Sequence, residues 1–400
     1  MTAVRASGSP MNVLLLGVGA VGSVLARHLA AHRSVGRLTL ADQDTTRAAR
    51  LRDELVAAGP GHPDRLRVEA VDASDPAALE RACHDQGLVI CAVVPRFNGA
   101  VMDAALRAGA HYLDLAAGEE DQFVRHEAWK KAGLVAVNGM GEDPGISNVL
   151  ARVGADRLDT VETVRVRDGE FSEAEDLPLA CLFSTETFIE EATSPALEFF
   201  AGKYREHPAW SGREMYPFPD PVGPQPVYNM SHEEVDTLPR FLGKGVKNVD
   251  FKLAVPDGMR DALDFLHRIG MTRRDEVPVG RALVRPLQVL SAVLPQPADL
   301  GGRIRGAAIV LVEVEGRKGS ARMRHVLDVA MTHDEAFRRM RATATAFLTG
   351  TGAAAGALAL TTGQAATPGV LAPEQLEPAP ILALLAELGL EVRSTSQALP

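Results

Sequence analysis

The stretch Met11-Asn-Val-Leu-Leu-Leu-Gly-Val-Gly-Ala-Val-Gly22 decides the fold of this 400-residue chain. It predicts a short buried strand that turns through three glycines into a helix. The first glycine permits the tight turn, the second lets the backbone approach a phosphate, and the third lets the helix pack closely on the strand. The helix N-terminus then offers unpaired N–H groups and a partial positive charge to an anion. These features predict a dinucleotide-binding loop with the contacts Gly17, Gly19, Ala20, Val21 and Gly22.

A second apolar run ends in Asp42, twenty residues after the last of these glycines. An acidic side chain at this place accepts hydrogen bonds from both ribose hydroxyls, and its charge repels a 2′-phosphate, so Asp42 favours NAD. A strand-end cap is the other interpretation of Asp42, and it would carry no information on the cofactor. Arg47 lies five residues on and keeps NADP as an alternative, because a guanidinium can pair with a phosphate.

Two later strand ends are expected to complete the nucleotide site. Asp72 ends the third predicted strand, where it would either approach the adenine or cap a turn. Ligands of open α/β sheets bind beyond the carboxyl ends of the strands. Val94 and Pro95 follow the fourth strand and are therefore predicted to lie near the nicotinamide. Arg96 is either a bidentate ligand for a substrate carboxylate or a solvated loop charge.

Strand and helix patterns alternate through the first 138 residues, with short turns between them. The strands are near-continuous apolar runs, which is typical of a parallel sheet covered by helices on both faces. Asp75-Pro76 marks one helix start, with an N-cap followed by a proline at the first helical position. We predict a doubly wound α/β fold of strand order 3-2-1-4-5-6, with strands at residues 12–17, 37–41, 66–71, 88–93, 111–115 and 134–137.

The pattern changes after about residue 150, and the chain is too long for one typical core. Residues 151–332 predict a second, α+β domain for substrate binding and dimerisation, built on a mixed or antiparallel sheet. Within it, many prolines and few regular periods predict a long irregular segment at 183–239. A helix near 333–362 is expected to return to the first domain, residues 1–150. Residues 363–400 would form a C-terminal tail with a helix and a short strand.

The composition, with 46% hydrophobic and 24% charged residues, is that of an ordinary soluble globular protein. A net charge of −10 argues against nucleic acid as a partner. Three cysteines without a CxxC pair, and a first ten residues without an apolar signal core, predict a cytoplasmic protein. The uncharged stretch 342–360 is long enough to cross a membrane. It consists mainly of Ala, Gly and Thr, so we predict a buried helix and no membrane partner.

The stretch Val137-Asn-Gly-Met-Gly-Glu-Asp-Pro-Gly-Ile-Ser-Asn-Val-Leu150 leaves the sixth predicted strand and enters a helix at about residue 146. Its glycines allow an unusual backbone path. Glu142 and Asp143 place carboxylates at the expected domain boundary, where they would either contact substrate or stabilise the helix N-terminus.

A third stretch, at residues 228–239, holds His232 beside Glu233 and Glu234. A neutral histidine near an acid can accept a proton near neutral pH, and a surface histidine in an acidic loop is the alternative. No cluster of His, Cys or Asp shows metal-ligand spacing, so we predict no metal.

Together these stretches resemble the saccharopine dehydrogenase (saccharopine reductase) superfamily, and most closely its lysine 6-dehydrogenase-like branch. The resemblance implies a two-domain enzyme, usually a homodimer, that oxidises or forms a C–N bond on an amino acid with NAD(P). Arg96 and the segment 140–142 depart from the family pattern. The motifs that carry the resemblance are Met11–Gly22, Val94-Pro95, His111-Tyr-Leu-Asp-Leu115, Gly141-Glu-Asp-Pro-Gly-Ile-Ser-Asn148, His232-Glu-Glu-x-x-Thr237-Leu-Pro239 and Gly369-Val-Leu-Ala-Pro-Glu374.

With this resemblance, the leading hypothesis is an NAD-dependent amino-acid dehydrogenase that converts an amine into an imine. His232, or in second place Asp143, would remove the ammonium proton before hydride leaves. Glu186 and Glu234 would hold a distal ammonium, and Thr237 would also contact the substrate. One alternative is a reductive condensing enzyme of the saccharopine or carboxynorspermidine dehydrogenase type. A non-catalytic NAD-binding sensor is the other.

Overall fold

The computed structural model describes residues 10–59, 62–116, 120–173, 177, 179–364 and 367–400. Residues 1–9, which carry most of the expectation that the protein is not exported, lie outside this part. The chain divides into two compact units. Unit 1 consists of Met1–Arg152 and Leu348–Val392, and unit 2 of Val153–Phe347 and Arg393–Pro400. Elements are numbered in chain order below.

Unit 1 is built on a seven-stranded parallel sheet. Six strands follow the order β3-β2-β1-β4-β5-β6, which confirms the predicted doubly wound topology. The seventh, β17, pairs with β6 and was predicted to belong to a tail. Its three residues are too few to show a strand period in sequence. The strands are β1 Met11–Leu16, β2 Val35–Asp42, β3 Leu66–Ala70, β4 Leu88–Cys91, β5 His111–Asp114, β6 Val135–Val137 and β17 Gly369–Leu371.

Helices connect and cover these strands, and α3 begins as predicted. Asp75 accepts a hydrogen bond from the Ala77 N–H, and Pro76 takes the first helical position. α6 and α12 each belong in part to both units. The helices are α1 Ala20–Ala31, α2 Thr45–Ala57, α3 Pro76–Cys83, α4 Asn98–Ala108, α5 His126–Ala132, α6 Ile146–Asp156, α12 Ala344–Thr361 and α13 Pro378–Glu387.

The small residues of α12 have a packing role. This helix is long and apolar enough to cross a membrane, but 94% of it is buried inside the protein, as predicted. Glycine is required because a Cβ on Gly352 would stand 2.1 Å from the Gly141 carbonyl oxygen. A Cβ on Gly350 would stand 2.7 Å from the Cβ of Val24 in α1. The helix predicted at 333–362 is two helices, because Arg341 adopts a left-handed φ of 58° and ends the first one.

Unit 2 contains a nine-stranded mixed sheet, as predicted, with a main path β10-β11-β12-β7-β15-β16-β18. β12 runs parallel to β7, and β15 is antiparallel to both β7 and β16. β8 pairs with β12 and β9, and β13 pairs with β14 as a separate hairpin. The strands are β7 Thr160–Glu173, β8 Ala196–Phe200, β9 Lys203–His207, β10 Glu214–Pro217, β11 Pro224–Asn229, β12 Asn248–Ala254, β13 Val277–Val279, β14 Ala282–Val284, β15 Arg305–Lys318, β16 Ala321–Thr332 and β18 Arg393–Leu399.

Two sequence expectations for this unit are corrected. The segment 183–239 is not irregular, because it forms four strands and two helices. Its strands are short, and prolines lie within β10 and β11, so the period of two is hidden. The end of the chain is not a separate tail either, since β18 pairs with β16. The helices of unit 2 are α7 Thr185–Thr193, α8 Glu234–Phe241, α9 Asp257–Arg268, α10 Pro286–Val293 and α11 His333–Met340.

Candidate active site

The glycine loop between β1 and α1 has the shape that a pyrophosphate needs. Gly17 has a φ of 97°, and a Cβ there would stand 2.5 Å from the Ala92 carbonyl oxygen. A Cβ on Gly22 would stand 2.1 Å from the Gly17 carbonyl oxygen, so the helix packs against the loop. Beside Gly19, in contrast, nothing lies within 4 Å of an added Cβ. Gly19 is also the N-cap of α1, and it offers no side chain to the helix N–H groups. The loop therefore fits a dinucleotide phosphate.

Asp42 lies at the end of β2 against this loop. One carboxylate oxygen accepts a hydrogen bond from the Val18 N–H at 3.0 Å, and the other accepts from the Asp44 N–H at 2.9 Å. The carboxylate thus stands beside the loop, and it also caps the strand end. Arg47 is exposed in the first turn of α2, where its own N–H bonds to the Asp44 side chain.

Asp72 is exposed and closes a turn. Its Oδ1 accepts hydrogen bonds from the hydroxyl and the backbone N–H of Ser74. These two bonds lower the pKa of Asp72 below its ordinary value. The turn-capping interpretation is the one that the structure shows, and contact with adenine stays a prediction.

The loop after β4 is a short 3₁₀ turn at Pro95–Phe97. Val94 is the residue before this turn, and both Val94 and Pro95 are half-buried. Arg96 is exposed, and its guanidinium carbon lies 4.9 Å from the centre of the Phe97 ring. This loop follows the carboxyl end of a strand next to β1, as predicted.

A buried polar network at the end of β5 was missed at the sequence level. Asp114 is fully buried, and its carboxylate accepts hydrogen bonds from Tyr112, Gln122 and the N–H of Gly139. The Asp114 carbonyl accepts a further bond from the Met140 N–H at 2.8 Å. This network holds the start of the loop that follows β6. In the sequence, the one sign of this network was an acidic residue at the end of an apolar strand.

The loop from Asn138 to Gly145 is held by its own backbone. The Gly141 N–H donates to the Pro144 carbonyl at 2.7 Å, and a Cβ on Gly145 would stand 2.3 Å from Gly141. Glu142 is only 2% exposed, and its carboxylate accepts a hydrogen bond from the Thr349 hydroxyl at 3.3 Å. Asp143 is half-buried. Contact of either carboxylate with substrate stays a prediction.

A second buried carboxylate, Glu374, lies beside α6. It is fully buried and accepts a hydrogen bond from the Asn148 amide at 3.0 Å. Its backbone carbonyl accepts a bond from Arg152 at 3.0 Å. The two stretches are more than 220 residues apart, so no local pattern could have shown this contact.

In unit 2, His232, Glu233, Glu234 and Phe251 form what we call the histidine cluster. The His232 Nδ1 lies 2.5 Å from a Glu234 carboxylate oxygen and 3.4 Å from one of Glu233. The side chain of His232 is 9% exposed, and that of Glu234 is fully buried. The imidazole stacks on the Phe251 ring of β12, with 3.8 Å between centroids and 7° between planes. His232 is therefore not a solvated surface residue.

The same three polar residues are the group that could hold a metal ion in the described part of the chain. Their ligand atoms lie within 4.8 Å of one another. Two ligands of one zinc ion, each about 2.0–2.2 Å from the metal, stand roughly 3.3 Å apart in tetrahedral geometry. The 2.5 Å between His232 and Glu234 is instead the length of a short charge-assisted hydrogen bond. The contact is that of an acid–base pair, and the absence of a metal stays a prediction.

The remaining predicted substrate residues also lie in unit 2. Glu186 is in the first turn of α7, and Thr237 is in α8 with its N–H bonded to the Glu233 carbonyl. His232, Glu234 and Thr237 share one short segment. Asp143 belongs to unit 1, so its meeting with His232 in one site stays a prediction.

Comparison with protein families covers almost the whole chain. The model of the saccharopine dehydrogenase NADP-binding domain matches residues 13–137. The model of the saccharopine dehydrogenase C-terminal domain matches residues 141–390. The saccharopine dehydrogenase (L-Glu forming) of Saccharomyces cerevisiae has the same fold, with a TM-score of 0.73 at 16% identity over 97% of this chain and 100% of that one.

Curated relatives match over almost the whole chain. The carboxynorspermidine synthase of Vibrio cholerae is 28% identical over 95% of this chain and 96% of its own length. The carboxyaminopropylagmatine dehydrogenase of Synechocystis is 29% identical over 94% of this chain and 96% of its own length. A saccharopine dehydrogenase of Schizosaccharomyces pombe is 28% identical over 40% of this chain.

Proposed function

Because the chain belongs to the saccharopine dehydrogenase family and is an NAD(P)-dependent oxidoreductase, we propose that it joins an amine to a carbonyl compound and reduces the resulting imine. The observation that carries the proposal is the likeness, over 94–95% of this chain, to relatives whose names describe carboxyl-bearing polyamine derivatives. The substrate pair would be an amino-acid semialdehyde and a diamine or agmatine. The product would be a secondary amine that carries a carboxylate.

The relatives change the ranking of the functions that the sequence predicts. A lysine 6-dehydrogenase-type oxidation was the leading one, and the reductive condensing enzyme was its alternative. The relatives support the alternative. The same site could run in either direction, since imine reduction and amine oxidation share one transition state. Membership in an oxidoreductase family favours a catalytic protein over a non-catalytic NAD-binding sensor.

NAD(P)H would supply the hydride for the reduction. The glycine loop would bind its pyrophosphate, because the Gly19 side is open and the N-terminus of α1 has no side-chain cap. Asp42 would accept hydrogen bonds from the adenosine ribose. Val94 and Pro95 would line the nicotinamide side.

His232 would move the proton that condensation requires. When an amine adds to an aldehyde, the carbinolamine must lose its hydroxyl group as water. A protonated His232 would give its proton to that leaving oxygen, and the nitrogen lone pair would form the C=N bond. In the oxidative direction, a neutral His232 would take the proton from the substrate ammonium. Asp143 would be the next candidate for this role.

The acidic residues would recognise the cationic part of the substrate. Glu186 in α7 is our acidic candidate in unit 2, where the hydroxyl of Thr237 in α8 would add a contact. Glu142 is the candidate in unit 1, although it is more deeply buried than Glu186 and already bonded to Thr349. Arg96 would pair with the substrate carboxylate. A homodimer and a cytoplasmic location stay predictions, and light scattering on the purified protein would test the first.

The test is a matched pair of assays at the reduced-nicotinamide absorbance. The purified protein is given NADH or NADPH, an amino-acid semialdehyde, and either diamines or agmatine. Cofactor should be consumed only when both the amine and the aldehyde are present, and mass spectrometry should find the secondary amine. A protein that instead reduces NAD with lysine alone, and consumes no cofactor with the pair, would contradict the proposal.

A further inference from the structure

We infer that Glu234 is a positioning residue for His232 and does not hold the substrate ammonium. It fixes the imidazole so that the Nε2 edge transfers the proton. This inference rests on the acid–base role of His232 proposed above. It assigns to Glu234 a part that the sequence had given to substrate binding.

The burial of Glu234 argues against a direct role in binding substrate. Its side chain is fully buried, whereas that of the neighbouring Glu233 is 19% exposed. An isolated buried carboxylate is costly unless it is paired and hydrogen-bonded. The 2.5 Å contact with the His232 Nδ1 provides that pairing inside the protein itself. A substrate ammonium that arrives from solvent would have to break this contact.

Two contacts fix the imidazole ring. Phe251 lies parallel to one face at 3.8 Å, which restricts tilting, and Glu234 holds the Nδ1 edge, which restricts rotation about the ring axis. The two restraints come from different elements, β12 and the start of α8. The Nε2 atom lies on the opposite edge of the ring from Nδ1. It is therefore the nitrogen that we assign to proton transfer.

The pair also selects the tautomer. An ionised carboxylate only accepts hydrogen bonds, so the proton between the two groups must sit on Nδ1. The neutral ring then has its lone pair on Nε2, where it can take a proton from an ammonium. After it has donated a proton as an acid, the ring returns to this same Nδ1–H form. One tautomer thus serves both directions of the reaction.

The neighbouring charges have other partners. His232 pairs with Glu233 and Glu234 within the histidine cluster. Charged groups on α8 and on the strands packed against it form separate pairs, namely Asp236 with Arg240, Asp250 with Arg167, Lys252 with Glu214 and Glu198 with His207. The His207–Glu198 contact of 2.8 Å provides a matched control, because its histidine is 34% exposed and lies outside the cluster.

The experiment compares the variants Glu234→Gln, Glu234→Asp and, as the control, Glu198→Gln. Glu234→Gln keeps the shape but can donate to Nδ1, which favours the other tautomer. We expect kcat to fall roughly 10²–10⁴-fold with the KM for both substrates little changed. Glu234→Asp should restore a measurable part of kcat, and Glu198→Gln should match wild type. A residue that held the ammonium would instead raise the KM for the amine.

A spectroscopic measurement keeps the inference testable if Glu234→Gln does not fold. The ¹⁵N shifts of His232 in the wild-type protein at alkaline pH should show Nδ1–H, with the signal assigned by its loss in His232→Gln. A neutral Nε2–H form would overturn the inference and leave the proposed function standing. The Nδ1–H form combined with a wild-type kcat in His232→Gln would overturn the acid–base role of His232, and the catalytic part of Glu234 with it.

Discussion

The glycine loop of unit 1 and the histidine cluster of unit 2 are built in different ways, one from backbone groups and the other from side chains. The loop acts through backbone N–H groups and through the absence of side chains at Gly17, Gly19 and Gly22. The cluster acts through side chains, and Phe251 lies nineteen residues from His232 in another element. A site made of backbone groups can therefore be recognised in one continuous stretch of sequence. The geometry of a site made of side chains depends on tertiary contacts. If the two regions are separable, a substitution in one of them should leave the properties of the other unchanged.

The largest effect is expected for His232→Gln. If His232 is the acid–base group, kcat should fall roughly 10²–10⁴-fold, the usual contribution of such a group. The dissociation constant of NAD(P)H, measured by fluorescence titration, should stay within about twofold. His207→Gln is the control, and it should behave as wild type. A variant that keeps the wild-type kcat would contradict the role and make Asp143 the next candidate.

Acid should destabilise both units by one mechanism. Burial lowers the pKa of His28 in α1 and of His333 at the start of α11 to about 4 in each case. The unfolded chain binds these protons from about pH 6.5 downward while the folded chain does not. The contribution of the two neutral histidines to stability is therefore fully present above about pH 6.5 and is lost as the pH falls towards about 4. Each histidine contributes at most about 3 kcal/mol to this loss.

Urea unfolding at pH 7 and pH 4.5 checks this expectation. His28→Gln and His333→Gln should each reduce the difference in unfolding free energy between the two pH values. His84→Gln should leave it unchanged, because that side chain is 78% exposed. If one buried histidine accounted for the whole difference, the two units would not respond alike to acid.

Two substitutions in the glycine loop should have different effects, one on cofactor binding and the other on stability. Gly19→Val places a side chain in the open space that the pyrophosphate needs, so NAD(P)H affinity should fall at least tenfold, about 1.4 kcal/mol, with normal folding. Gly22→Val should instead lower the melting temperature, since its Cβ would stand 2.1 Å from the Gly17 carbonyl oxygen. An unchanged cofactor affinity in a folded Gly19→Val protein would remove the loop from the cofactor site.

The extent to which the sequence predicts this protein follows the same division. The strand order of unit 1 and its glycine loop were predictable because apolar runs and glycine spacing are local patterns. The Asp114 network, the Asn148–Glu374 contact and the stacking of His232 on Phe251 were not, since each joins residues from different elements. β17 and β18 were assigned to a tail because short strands reveal their sheet only through their partners.

The smallest expected effect concerns the choice of cofactor, and it tests the boundary between the two kinds of site. Asp42 is a side chain, yet it is held by the backbone N–H groups of Val18 and Asp44. Its charge next to the loop should repel a 2′-phosphate, so wild-type protein should prefer NAD to NADP in kcat/KM. Asp42→Ser should shift this ratio towards NADP by roughly fivefold, about 1 kcal/mol. Asp53→Ser, which changes an exposed acid of α2, is the control and should leave the ratio unchanged.

A wild-type preference for NADP would mean that the Asp42 carboxylate does not face the ribose and that Arg47 binds the phosphate. Asp42 would then serve as a strand-end cap through its backbone contacts. The glycine loop would be the part of the cofactor site that the sequence predicts.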